Sequence, residues 1–355
     1  MQNAIYSSLK ALHSHGSLDA MLAGELPAPV HVRIKPTNVC NHSCYFCAYR
    51  TDDVSLGEDM VVRDRIPREK MFEIVDDLIA MKVRAVTFSG GGEPLIYPYF
   101  AETVERLAGG DIKIASLTNG SRLKGKVADA LAAHGTWLRV SIDGWDGPSY
   151  GLYRSVEDTA FGAVMDNLTA FSARGAECVV GASIIVDERN ASHIAELCQS
   201  LKNTGVAHVK ISPCIIANDG ADNNLYHDAF KDVVQEQIAQ AKELDDATFH
   251  VVDHYHSMEV NFFKPYKNCE FAKMLTVIGA DSKVYTCQDK AYTQSGTLGD
   301  ITAQSFREFW FSDENKQNLA AIDPAKSCQH HCVADAKNRL LDDYLSLAPD
   351  HLPFI

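Results

Sequence analysis

Three cysteines stand within one run of eight residues, Cys40-Asn-His-Ser-Cys44-Tyr-Phe-Cys47, separated by three residues and then by two. Thiolates are soft ligands for iron and zinc, so a compact thiol set can hold a metal ion or an iron–sulfur cluster. Steps of four and three would also put the side chains on one helix face, where free cysteine is an ordinary core residue. The neighbours oppose a helix: Pro36, Asn38, Asn41 and Ser43 are loop and turn formers, and the segment directly follows a strand-like pattern. Structural zinc wants four ligands, and His42 is the nearest candidate for the fourth. Three thiolates on a loop suit a [4Fe-4S] cluster better, because one iron is then left open to a substrate-like ligand.

A second set lies far along the chain. Cys269 and Cys287 bracket a hairpin-like segment, MLTVIGADSKVYTC, with Gly279 to Lys283 as its turn, and Cys328 and Cys332 form a close pair 40 residues later. Four thiols make a closed site, for which zinc and an iron–sulfur cluster compete on residue type alone. His330 and His331 lie inside the pair and could replace a cysteine. Of the ten cysteines, three remain. Cys178 and Cys198 fall on a predicted strand and helix and read as buried, inert thiols, as does Cys214 just past a strand. His250, His254 and His256 read as hydrogen-bonded residues rather than a further metal site.

The elements that must position these residues show in the hydrophobic period. From about residue 31 to 214 it alternates between strand-like and helix-like segments, the pattern of repeated βα units around a parallel sheet. Six strands are predicted, at His31 to Lys35, Ala85 to Ser89, Ile112 to Leu117, Trp137 to Ile142, Cys178 to Val186 and His208 to Ser212. The clearest helix runs from Arg68 to Met81 behind Pro67. Six units fall short of a closed eight-stranded barrel, so an open partial barrel competes with a doubly wound sheet. Polar or glycine-rich segments follow most strand ends, namely the cysteine loop, SGGGEP, TNG and SIDG, and favour the barrel, whose sites are built from such loops.

The 355 residues are 46% hydrophobic and 23% charged, which is globular composition and enough chain for a second, smaller unit. The net charge of −14 argues against nucleic acid as a partner. No apolar run is long enough to span a membrane, and the N-terminus lacks the features of a secretory signal. A cytoplasmic location is expected, where clustered thiols hold metal more often than they form disulfides.

With Gly91-Gly92-Glu93-Pro94 after the second strand, the cysteine loop after the first resembles the radical S-adenosylmethionine (SAM) enzyme superfamily, over roughly residues 30 to 215. The resemblance implies a α/β fold, a partial (β/α)6 TIM barrel followed by a small domain with a β-hairpin and helix. It implies that Cys40, Cys44 and Cys47 hold a [4Fe-4S] cluster whose open iron is chelated by SAM, and that a 5′-deoxyadenosyl radical then takes a hydrogen atom from substrate. Cleaving a sulfonium reductively needs a strong reductant, and iron–sulfur potentials reach about −700 mV. Gly91, Gly92 and Glu93 would orient the SAM amino group. Phe46 would pack on adenine, Ser141 and Asp143 would bind ribose, and Asn119 and Ser183 would complete the shell. Arg154 would meet the SAM carboxylate, with a surface ion pair as its alternative, and Ile211 marks the backbone that meets the adenine edge. Cys269, Cys287, Cys328 and Cys332 resemble the Twitch domain, a shortened SPASM domain with one auxiliary [4Fe-4S] cluster, whereas the full SPASM pattern has seven cysteines and two clusters. A flavodoxin- or ferredoxin-type protein would supply electrons.

These expectations divide the chain into a helical extension (1–28), the barrel (29–215), a helical connector (216–265) with a polar loop at Ala217 to Asn224, the auxiliary unit (266–340) and a tail (341–355). An auxiliary cluster that accepts an electron from a substrate radical would make the enzyme an oxidant. A thiol that returns a hydrogen atom, with Cys214 as candidate, would make it an epimerase. Peptide-modifying relatives often carry an N-terminal recognition domain, and only about 28 residues precede strand one here. The first expectation is therefore a small-molecule substrate, a sugar or nucleotide-linked sugar. A peptide maturase is the second, and a non-catalytic iron–sulfur relay is the reading from a different class.

Overall fold

β-Branched and aromatic residues at alternating positions build the strands, and the computed structural model describes them within residues 6–51, 57–255, 262–328, 331–351 and 354. The strands are β1 (His31–Ile34), β2 (Ala85–Phe88), β3 (Lys113–Thr118), β4 (Gly135–Ser141), β5 (Val179–Val186) and β6 (His208–Pro213). They are followed by β7 (His250–Asp253), β8 (Leu275–Ile278), β9 (Lys283–Tyr285) and β10 (Thr297–Asp300). Together they form one ten-stranded sheet in the order β10-β9-β8-β1-β2-β3-β4-β5-β6-β7. Every pair from β1 to β7 is parallel and each crossover carries helix, which is the partial barrel expected.

Alternate residues of each strand face the helices. Val32, Ile34, Val86 and Phe88 are fully buried there, against the Met71, Ile74, Val75 and Leu78 face of the helix Arg68–Ala80. The opposite residues face the inside of the barrel.

Two expectations are corrected. The expected polar loop at Ala217 to Asn224 is partly helix, and the segment after β6 forms two helices, Gly220–Asp228 and Lys231–Lys242. Asp219 starts the first by accepting from the backbone N–H groups of Ala221 and Asp222, a capping arrangement hidden in a run of polar residues. These helices lead into β7, which pairs in parallel with β6, so the supposed connector is a further βα unit. The hairpin β8–β9 forms as predicted, but β8 also adds in parallel to the free edge of β1, so the sheet runs unbroken into the auxiliary unit. At the far end, the helix Asp335–Leu345 crosses the expected start of the tail. Its Leu341 packs with Ala11, Leu18 and Met21 of the N-terminal extension. No helix among the described residues is long and apolar enough to cross a membrane.

Candidate functional site

The first cysteine loop leaves β1 as turns, not helix, with Cys47 N–H donating to the Cys44 carbonyl at 3.2 Å. It is held from below by the loop after β2. Gly92 N–H donates to Thr37 O at 3.1 Å and Glu93 N–H to Val39 O at 2.9 Å. The approach admits no side chain: a Cβ on Gly92 would lie 2.0 Å from Val39 O, and one on Gly91 would lie 2.3 Å from Asn38 Oδ1. Gly91 and Gly92 thus serve to seat one strand-end loop on the other. Cys40, Cys44 and Cys47 are half-buried free thiols. Burial pushes Cys40 up to about 11, with Glu93 and Cys44 adding to it, and burial raises Cys44 against the pull of Arg154.

Glu93 is buried and caps the short helix Pro94–Ile96. Its Oε1 accepts from Thr118 Oγ1 at 2.6 Å and from Leu95 N–H at 3.0 Å, and its Oε2 from Asn119 N–H at 2.7 Å. A carboxylate has about four acceptor sites, so one remains for an ammonium. Asn119 in turn donates to Asn41 Oδ1 at 3.0 Å, tying the third strand-end loop to the cysteine loop.

Arg154 is not a surface residue. The capped helix Gly147–Arg154 carries it into the barrel mouth, where it pairs with Asp143, donates to Ser141 Oγ at 2.9 Å, and lies 3.4 Å from Cys44 Sγ. Its guanidinium also sits 5.4 Å over the Phe46 ring. Burial opposes the charge of Arg154, but Asp143, Cys44 and Tyr150 together outweigh it and keep the guanidinium protonated. Asp143 is fully buried and also accepts from Ile185 N–H at 2.7 Å, so β4 and β5 share it. Cys40, Cys44, Phe46, Glu93, Asn119, Ser141, Asp143 and Arg154 therefore form one connected constellation at the C-terminal ends of the strands.

The other expected residues fall differently. Ser183 is in register with Ser141 and is half-buried on the inner face. Ile211 sends its side chain into the core on the helix side, and its carbonyl accepts from His254 N–H at 2.9 Å. Cys214 is buried past β6, near Asp187 and Asp143, and burial pushes it up to about 12. Cys178 and Cys198 are buried in the core, as expected.

The second set also converges. Cys287 is raised by burial and then by Asp289, Cys332, Cys269 and Cys328, so the fold brings the four thiols into one neighbourhood. His331 packs against the Phe262 ring at 5.6 Å, while His330 and His256 lie outside the described residues. Among the described residues no three His, Cys, Asp or Glu groups close on a single-ion site. Thiolates are the ligands of iron–sulfur clusters, and within each set the cysteines act electrostatically on one another, so the donor chemistry of both sets fits the groups implied for them.

A link between the two sets escaped the sequence. Lys35, fully buried at the end of β1, donates to Tyr49 Oη at 2.7 Å, to Gly90 O at 2.9 Å and to Gln288 Oε1 at 3.2 Å. Tyr49 follows Cys47 by two residues and donates to the Gln288 carbonyl at 3.0 Å, next to Cys287. The signal was present in the alternation His31, Arg33, Lys35, polar on what a strand reading treats as the inner face.

The sequence matches the radical SAM superfamily over residues 34–201 and an iron–sulfur cluster-binding domain, SPASM, over residues 269–333. The sporulation killing factor maturation protein SkfB of Bacillus subtilis is 24% identical over 345 residues, covering 97% of this chain and 75% of that protein. The mycofactocin maturase MftC of Mycobacterium tuberculosis is 29% identical over 174 residues, which is 48% of this chain and 41% of that one. Streptococcus suis SuiB bound to precursor peptide SuiA is similar in fold, with a TM-score of 0.63 at 16% identity over 94% of this chain and 78% of that one. The same protein bound to SAM gives 0.61 at 15% identity, over 93% and 80%.

Proposed function

We propose, from the premise that this chain belongs to the radical SAM superfamily and carries a C-terminal SPASM domain, that it is a peptide maturase. The enzyme uses SAM and two [4Fe-4S] clusters. The observation that carries the peptide reading is the similarity to a sporulation killing factor maturation protein over 97% of the chain, both domains included, and the fold shared with a protein bound to a precursor peptide agrees with it. It supports a peptide over the sugar-like metabolite first expected, because that expectation rested on the length before β1 rather than on any residue of the site.

In this reading Cys40, Cys44 and Cys47 hold the SAM-chelating cluster, and Cys269, Cys287, Cys328 and Cys332 hold the auxiliary one. A cluster on the first set would supply the electron for reductive cleavage of SAM, and one on the second a further redox centre. The chain's own residues do the positioning. Glu93, held by Thr118, Asn119 and Leu95, keeps one acceptor site aimed by three fixed donors. Arg154 is locked in place by Asp143 and Ser141, and its guanidinium offers a positive charge beside Cys44. The rings of Tyr45, Phe46 and Tyr153 pack on one another beside Arg154.

A second reading of the outcome is favoured by Cys214. Its thiol sits at the mouth close to Asp143, and a value near 12 keeps the hydrogen on sulfur at neutral pH, as a hydrogen-atom donor requires. The product would then be an inverted residue rather than an oxidised or cross-linked one.

The test is anaerobic reconstitution with iron, sulfide, reductant and SAM, followed by assay for 5′-deoxyadenosine with and without short peptides encoded beside the gene. Peptide-stimulated 5′-deoxyadenosine with a mass change in the peptide is expected. Stimulation by nucleotide sugars alone would restore the metabolite reading, and no 5′-deoxyadenosine at all would leave an electron relay.

A further inference from the structure

The chain is acidic, yet the inside of its barrel is not. Strand register puts His31 and Arg33 of β1, Arg139 of β4, and His208 and Lys210 of β6 on the inner face, and Lys337 of the helix Asp335–Leu345 reaches the same space. Their charges act on one another: Arg139, Arg33 and Lys337 all push on Lys210, and Lys210, Arg139 and Lys337 push on His254. Burial, followed by these neighbours, lowers Lys210 to about 7.

Part of this charge is answered. Asp289 and Cys287 face Arg33 and Lys35, and Cys332 faces Lys337. Arg139 and Lys210 have no such answer, and neither makes an ion pair with an acid among the described residues. Arg139 Nη1 donates to Tyr6 Oη at 3.1 Å, the same hydroxyl lies 3.0 Å from His208 Nε2, and Lys210 Nζ stands 5.9 Å over the Tyr6 ring. Two buried nitrogens, Arg139 Nε and His208 Nδ1, have no hydrogen-bond partner, and His208 is only 4% exposed. The strand opposite is cut away to admit that ring, since a Cβ on Gly181 would lie 2.3 Å from it.

Unanswered cations held together destabilise a fold, and a chain with 47 acidic residues has carboxylates to spare for them. Lys210 is in register with Ser183 and Ser183 with Ser141, the residue that binds Arg154 at the mouth. Strand spacing then puts the Lys210 backbone about 10 Å from that of Ser141, within reach of a substrate residue presented to the mouth.

We infer that Arg139 and Lys210, supported by His208, form a substrate-binding site in the barrel that takes a carboxylate, so that the peptide proposed above carries an acidic group beside its reacting residue. The inference rests on the peptide reading. A carboxylate is favoured over a phosphate because the donors are side chains on strands whose N–H groups are spent in the sheet, whereas phosphate sites draw on helix N-termini and glycine-rich loops. The carboxylate has two sources, an aspartate or glutamate side chain or a peptide C-terminus.

The test measures binding to the cluster- and SAM-loaded protein, so that SAM's own carboxylate is already placed. Ligand-observed NMR compares acetyl-Gly-Ala-Glu-Ala-Gly-amide, its glutamine counterpart, and the glutamine peptide with a free C-terminus, beside guanosine monophosphate. One of the two carboxylate peptides is expected to bind about tenfold more tightly than the neutral amide, and which one does so names the source. Lys210→Met and Arg139→Met should each remove the preference, while Lys210→Arg should keep it. Lys210→Met should also raise Tm in the absence of peptide, a gain that a merely structural lysine would not give. Equal binding of all three peptides, a preference that survives Lys210→Met, or a lower Tm in that variant would overturn the carboxylate site and leave the peptide reading standing. Lys210-dependent binding of guanosine monophosphate with no peptide binding would overturn both.

Discussion

The two cysteine sets solve the same problem by opposite means. Cys40, Cys44 and Cys47 come from one loop of eight residues, so their spacing is set locally and two further loops need only brace it. Cys269, Cys287, Cys328 and Cys332 come from points spread over 64 residues, and they meet only because β8 adds to β1 and the helix Asp335–Leu345 returns to the N-terminal extension. Loop-closure entropy is small in the first case and large in the second. The local set can be left with an open side and still keep its shape, whereas the distant set depends on its fourth ligand to close it. Between them stands one fully buried lysine, Lys35, bonded to the partner loops of both.

The sharpest way to break this comparison is to remove one cysteine from each set. Cys44→Ala should abolish 5′-deoxyadenosine formation outright, while Cys332→Ala should leave SAM cleavage within a few-fold of the parent and eliminate modified peptide. In each variant iron should fall from about eight to about four per chain, if each set holds one four-iron cluster. Loss of SAM cleavage in Cys332→Ala would show that the distant set supports the fold of the local one, and the two would no longer be separable.

Next in size is the Arg154–Asp143 pair, with side chains 5% and 0% exposed. Arg154→Met strands a buried carboxylate and should cost about 3–5 kcal/mol of stability, read by denaturant unfolding, with SAM affinity falling as well. Arg154→Met combined with Asp143→Asn should recover part of the stability and none of the SAM affinity. Smaller again is Gly92→Ala. Its Cβ meets the Val39 carbonyl, so the cysteine loop must lift, at a cost of roughly 1–3 kcal/mol and with a larger fractional loss in SAM cleavage than in auxiliary-cluster content.

The ease of reading the sequence followed the same division. All six predicted strands form within a residue or two of their expected ends, because β-branched alternation and strand-end glycines are local signals. The cysteine loop and the GGE segment were legible for the same reason. What was missed is non-local. Nothing in Leu275–Ile278 says that it will pair with β1, nothing around Arg154 says that Asp143 will be its buried partner, and the cap at Asp219 looks like any polar residue in a loop. The inner-face cations were visible as single letters, but their shared space exists only once six strands are in register. The substrate expectation argued from the length of chain before β1 instead of from side chains, whereas the peptide reading proposed above draws on similarity along 97% of the chain.

The smallest expected effect concerns the three cysteines that neither set uses, and it sharpens the comparison by asking whether one of them joins the chemistry. Cys178, Cys198 and Cys214 are each pushed up to about 12, first by burial. Alkylation goes through the thiolate, so in the cluster-loaded protein all three should resist iodoacetamide at pH 8, with labelling rising about tenfold for each pH unit towards 12 while the fold persists. Cys178→Ala and Cys198→Ala leave cavities beneath helices and should change stability but not product. Cys214→Ala should leave 5′-deoxyadenosine formation unchanged, since the thiol touches neither set. Its product decides the matter. If mass spectrometry in deuterated water finds solvent deuterium at an inverted peptide carbon in the parent and none in Cys214→Ala, the thiol returns the hydrogen atom and only the local set is needed for the net reaction. If the parent product carries no solvent deuterium and the variant makes it equally well, Cys214 is a core residue, and the electron left on the peptide must pass towards the distant set.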